Sequence, residues 1–158
     1  MDNSIQIEVG DTIINFGQVH DVFEITEEVI YYKPHFESES SGGLKCSIPL
    51  KSLSESNIRK SLSCEDCKKY CKDLKKVINI NIYPDANEMT TLYKTNLPEN
   101  LVRVIALLNQ ERKEKEHGLS TSKKMIFDKA VASFIQEFAF ATDMTLEEAE
   151  SSILNALS

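Results

Sequence analysis

Residues 118–150 read GLSTSKKMIFDKAVASFIQEFAFATDMTLEEAE, and this stretch sets the character of the C-terminal half. Gly118 suits the left-handed position just past a helix C-terminus. Ser120 stands where a side-chain oxygen would cap the next helix. The apolar spacing predicts that this helix buries Met125, Ile126, Val131, Phe134, Ile135 and Phe138. Asp143-Met144 breaks it. Thr145-x-x-Glu148 is a capping box for a last helix with Leu146, Ala149, Ile153, Leu154 and Leu157 inward. Upstream, Pro98-Glu99-Asn100 opens a helix with proline in its first turn, which that position tolerates. Leu101, Val104, Ile105, Leu107 and Leu108 line its apolar side, and it is expected to end at His117-Gly118.

Toward the N-terminus the pattern changes. Ile5–Val9 alternates and Gly10-Asp11 is a turn signal. Thr12–Ile14, Val19–Ile25, Glu28–Lys33 and Leu44–Pro49 read as further strands, with Ser38–Gly43 as a turn or loop. Close strand spacing predicts a small twisted antiparallel sheet or partly closed barrel. From Ser52 the period becomes helical: Ser63 is a candidate N-cap, and Cys64, Cys67, Cys71, Leu74 and Ile78 share one face. Residues 79–87 read as a strand-like or irregular connector. The expected fold class is α+β, with a β-rich domain over 1–60 and an all-helical domain over 61–158. The latter comprises a linking helix (61–78), a connector (79–97) and a bundle (98–158).

The chain has 158 residues, 41% hydrophobic and 27% charged, and no tryptophan. That is ordinary globular composition. No apolar run approaches the roughly 18 residues of a membrane helix. The start, MDNSIQIEVGD, has no cationic segment or apolar core of a signal peptide, so a cytoplasmic location is expected. The net charge of −7 speaks against broad binding to nucleic acid, but it is uneven. Residues 93–130 hold 8 bases and 5 acids, while residues 131–158 hold 5 acids and no base. No nucleophile–base set, paired carboxylates or phosphate loop stands out, so no enzyme, cofactor or small-molecule substrate is expected.

The cysteines admit three readings. Cys46, Cys64, Cys67 and Cys71 could complete a zinc tetrahedron or serve as a redox sensor. They could pair as structural disulfides, which the expected compartment disfavours. Core packing is favoured, because the three later cysteines continue into Leu74 and Ile78 at helical spacing, with no glycine or proline bending the backbone between them.

Several motifs in order resemble the CarD/CdnL family of bacterial RNA polymerase-binding transcription regulators. The strongest is Gly118-Leu119-Ser120-x-x-Lys123-Lys124-Met125 through Lys129-Ala130, continued by Glu137–Ala141 and Leu146–Glu150. Val9–Ile14, Leu44–Pro49 and Tyr93–Leu97 also resemble segments of that family.

The resemblance implies a Tudor-like N-terminal β-barrel docking on the polymerase β subunit. It also implies a C-terminal helical bundle touching promoter DNA at the upstream edge of the transcription bubble, thereby stabilising the open complex. The candidate polymerase-contact edges are Glu28–Lys33 and Leu44–Pro49, with Val29, Ile30, Tyr31, Tyr32, Lys33, Lys45, Ser47 and Pro49 as contact residues. The candidate DNA contacts are Lys94, Arg103, Arg112, Lys113, Lys123, Lys124 and Lys129. Met89 falls where the family has a tryptophan that wedges into the minor groove; methionine is one of the apolar types used for such wedges, but a linker or core position is the favoured reading. Two further positions depart from the family. Asn15-Phe16-Gly17 is shorter than the family's corresponding turn, and Ser47 replaces its arginine.

Overall fold

The computed structural model describes residues 5–36 and 43–158. The expected turn over Ser38–Gly43 therefore lies, except for Gly43, outside the described residues. The chain divides into two compact units, Met1–Ser61 and Leu62–Ser158. It is an α+β protein, with a five-stranded antiparallel sheet followed by helices.

The sheet comprises β1 (Thr12–Asn15), β2 (Gln18–Ile25), β3 (Val29–Pro34), β4 (Cys46–Pro49) and β5 (Arg59–Lys60), in the order β4-β3-β2-β1-β5. Phe16 and Gly17 link β1 to β2 with φ of 52° and 71°, and Asn15 pairs with Gln18. Two left-handed residues are what a tight hairpin needs to match strand twist. Phe16 holds the first of them and is 85% exposed. Between β2 and β3, the Thr26 hydroxyl accepts from the Glu28 and Val29 N–H groups. A bulge between Val22 and Glu24 breaks the alternation of β2. Ile13, Val22, Ile30, Tyr32, Leu53 and Ile58 form the core, Leu53 arriving on a 3-10 helix over Leu50–Glu55.

Two expectations for this unit change. Ile5–Val9 forms no strand; Gly10 turns instead with φ 94°, its N–H donating to the Val22 carbonyl. Arg59–Lys60 is a strand, too short to leave a periodic signal, and it pairs with Ile13 and Ile14.

The helical unit has α1 (Cys64–Asp73), α2 (Ala86–Lys94), α3 (Pro98–Glu114), α4 (Thr121–Thr142) and α5 (Leu146–Leu157). Ser63, Ser120 and Thr145 cap α1, α4 and α5, and the Thr145–Glu148 box is complete. Helix α4 packs against all four others. Its Phe134 is fully buried, as are Val104 and Ile105 of α3 and Ala149 and Ile153 of α5.

Helix α2 replaces the expected connector, because Asp85 accepts from the Glu88 N–H and starts a helix directly after Pro84. The linking helix is shorter than 61–78 and stops at the Leu74 cap. Helix α3 ends at Glu114, and Gly118 takes φ 69° in the turn beyond it. Met125, Leu146 and Leu154 are exposed rather than inward. In α4 the buried place falls to Phe127, and at the first residue of α5 a leucine sits before the packed face begins.

One buried polar group ties the sheet to pH. His20 is 2% exposed, its Nδ1 lies 3.0 Å from the Gln18 carbonyl oxygen, and its ring meets Tyr32 edge-on at 5.1 Å. Burial pushes its pKa below the ordinary 6.5, against the opposing pull of the Gln18 carbonyl and Asp21. A histidine with a lowered folded pKa stabilises the fold fully above the unfolded value, and that contribution is lost as pH falls. Urea denaturation followed on either side of pH 6.5 is expected to show the sheet unit weakening on the acid side. The His20→Gln variant is expected to lose most of that dependence between pH 6.5 and the carboxylate range.

Candidate polymerase and nucleic-acid interfaces

In the sheet unit, topology decides which strand can meet a partner. Strand β4 is an edge, whereas β3 is enclosed between β4 and β2. Glu28–Lys33 is therefore not an edge, which corrects that expectation. Ile30 and Tyr32 are 1% and 3% exposed and belong to the core, so their side chains are not contact residues. Val29 and Tyr31 are half-buried, while Lys33, Lys45, Ser47 and Pro49 are exposed. Strand β4 thus presents a short edge carrying Ser47 and Pro49.

On β2, across β3 from that edge, lies a residue that sequence reasoning missed. The Phe23 ring stands 6.3 Å from the Tyr31 ring, with Lys45 Nζ 5.8 Å from its centroid. Phe23 occupies the bulge, which hides it from a strict alternation. An aromatic pair with a cation above it suits a protein contact.

In the helical unit, the candidate bases separate by what already holds them. Lys123 is only 13% exposed, and its ammonium lies 2.8 and 2.9 Å from the two Glu111 carboxylate oxygens. Lys115 joins the same carboxylate at 2.7 Å, and Glu111 itself is 2% exposed. Burial opposes ionisation of Glu111. The hydrogen bonds and charges of Lys115 and Lys123 together outweigh it and hold the carboxyl below its ordinary value. Lys123 is thus a structural cation clamping α4 to α3, not a surface base. Arg112 is exposed, yet its guanidinium is engaged: it donates to Asn109 Oδ1 at 2.5 Å and covers the Phe127 ring at 5.2 Å. Asn109 in turn donates to the Leu157 carbonyl.

Lys94, Arg103, Lys113, Lys124 and Lys129 are exposed as well. Lys124 is paired with Asp128 at 2.7 Å. Lys124 and Lys129 lie five positions apart, roughly 140° around a helix, so they do not share a face. Met89 is fully buried in α2, which removes it as a wedge: its thioether packs in the bundle.

A different set is brought together. An open groove of about 300 Å³ is lined by Lys75, Lys76, Val77 and Lys113, with Asn109, Gln110 and Asn155 among its polar walls. Lys75 and Lys76 follow α1, and Lys113 sits in the last turn of α3. Lys76 pairs with Asp73 at 2.7 Å, but its own side chain is 74% exposed. Val77 stands at 87% exposure beside these lysines. The sequence carried a faint signal, a lysine pair just beyond the cysteine helix, but nothing that joined it to Lys113.

The cysteines differ in exposure. Cys67 is buried, Cys46 and Cys71 are half-buried and Cys64 is exposed. Among the described residues no group of three or more His, Cys, Asp or Glu side chains is placed to hold a metal ion. No helix among the described residues is long and apolar enough to cross a membrane.

The chain thus joins an antiparallel sheet unit to a helical unit with capped helices and a basic groove. Residues 98–154, covering α3, α4 and most of α5, match the family model for the CarD C-terminal domain. No curated protein matches the chain.

The Glu111 cluster yields a test. A buried carboxylate with two ammonium partners leaves Lys123 uncompensated when neutralised, so Glu111→Gln is expected to cost up to about 3 kcal/mol of stability at neutral pH. Because the folded pKa lies below the ordinary 4.5, the advantage of the unaltered chain is full above that pH and fades as pH falls through the folded value. Urea midpoints of the two proteins are therefore expected to converge in acid.

Proposed function

We propose that this chain is a bacterial, cytoplasmic transcription regulator that binds the RNA polymerase β subunit through its sheet unit and stabilises the promoter open complex through its helical unit. The observation that carries this reading is the match of residues 98–154 to the CarD C-terminal domain. The β4 edge, together with Phe23, Tyr31 and Lys45, supports a polymerase contact by strand addition. The groove of Lys75, Lys76 and Lys113 supports contact with DNA phosphates, which positions a duplex without reading its sequence.

A second reading is an adaptor on polymerase with no DNA role. The net charge of −7, the burial of Met89 and the engagement of Lys123 by Glu111 favour it. Charge reversal separates the two. The variant Lys75→Glu, Lys76→Glu, Lys113→Glu is expected to be retained by immobilised polymerase while shortening open-complex lifetime several-fold. Its salt dependence is expected to fall by about one unit of slope for each phosphate that a lysine no longer neutralises. An unchanged lifetime with polymerase still bound establishes the adaptor reading, and failure of the unaltered chain to bind polymerase overturns both.

A further inference from the structure

The three cysteines of α1 stand in unlike surroundings. Cys64 is the first helical residue, directly after the Ser63 cap, and is exposed. Cys67 is fully buried, its Sγ 4.0 Å from the backbone carbonyl oxygen of Glu137. Cys71 is half-buried one turn further on.

Helical residues three apart share a face, and each Cα–Cβ bond tilts toward the helix N-terminus, so Cys67 leans toward Cys64. Their Cα atoms are about 5 Å apart in helical geometry, within the span a disulfide bridges. The backbone N–H of a first-turn residue has no intrahelical acceptor. Cys64 can therefore adjust its backbone to reach bonding geometry without breaking a helix hydrogen bond through its N–H. Cys71 lacks that freedom, and burial pushes its thiol pKa up against the weaker opposing effect of Lys75. Its thiolate, the form that attacks a disulfide, is correspondingly scarce.

We propose that Cys64 and Cys67 form a dithiol–disulfide exchange site that takes small-molecule disulfides, with Cys64 as the attacking residue and Cys67 as the resolving one. The Cys64 thiolate attacks one sulfur of the disulfide; that S–S bond breaks, one thiolate leaves, and a mixed disulfide forms on Cys64. Cys67 then gives up its proton to solvent and attacks Cys64 Sγ, expelling the second thiolate. The two cysteines are oxidised by two electrons and the small disulfide is reduced to two thiols. The proposal is independent of the polymerase role. It also connects to the packing of α1: the Glu137 carboxylate accepts from the Leu62 N–H at 2.9 Å while its carbonyl faces the Cys67 thiol, so oxidation removes the thiol's contact with the Glu137 carbonyl.

The test treats the folded chain with oxidised glutathione, blocks remaining thiols, and digests with trypsin. The peptide Ser61–Lys68 carries Cys64 and Cys67 but not Cys71. It is expected to become lighter by two hydrogen atoms, with two of the four thiols consumed and no retained glutathione. Cys64→Ser is expected to abolish that consumption, and Cys71→Ser to leave it unchanged. A glutathione adduct persisting on Cys64 while Cys67 remains a thiol overturns the proposal, as does a bond from either residue to Cys71 or Cys46.

Discussion

The helical unit depends on a carboxylate that is almost wholly withdrawn from solvent. Glu111 sits near the C-terminal end of α3, 2% exposed, and it is tolerable there only because two ammonium groups reach it. One comes from Lys115, a turn further on. The other, Lys123, comes from the first turn of α4, twelve residues on, so the ion pair fixes how the chain turns between α3 and α4. Taking one charge out of water without its partner would cost several kcal/mol, which makes the arrangement all-or-none. The Lys115 ammonium also lies 5.8 Å from the centre of the Tyr83 ring, and the Tyr83 hydroxyl bonds to Glu114 and Gln110. The connector before α2 is thereby tied to the same end of α3.

That cluster explains why local charge was a poor guide to surface. Sequence shows the type of each residue and its spacing, and both point Lys123 and Lys124 outward as neighbours in a basic run. Adjacent helical positions face about 100° apart. One of the pair therefore meets Glu111 and the other meets solvent and Asp128. Arg112 keeps its exposure, but its guanidinium is held by Asn109 and the Phe127 ring. Met89 shows the apolar counterpart: its identity allowed a wedge, but its place on the inner face of α2 decided for the core. The lysines that do converge, 75, 76 and 113, come from segments more than thirty residues apart. Only tertiary packing puts them in one groove.

Features carried by short-range chemistry were legible. Ser63, Ser120 and the Thr145–Glu148 box each satisfy helix amides within three residues, so their spacing alone announces a helix start. The α3 core positions follow from a strict period. Where a local rule was broken, reading failed. The β2 bulge shifted Phe23 out of phase, two-residue β5 left no pattern, and Asp85 falls inside an expected connector although it caps α2. Strand order was not legible at all. Nothing within Glu28–Lys33 distinguishes an enclosed strand from an edge, and β4 is the edge only because β3 is covered on both sides.

The charge total and the groove are compatible because electrostatics in salt solution is local. The Debye length is about 8 Å at physiological ionic strength, so only charges within about that distance act strongly on three lysines that share one groove. They do lower the potential that a free duplex meets from afar, and with it the rate of encounter. A few phosphate contacts alone give weak binding that falls steeply with salt. Such contacts gain force when a second contact on the same assembly raises the effective concentration of the duplex near the groove. On the proposed function, a chain with an acidic total and a confined basic groove suits DNA delivered by a partner rather than DNA found by search.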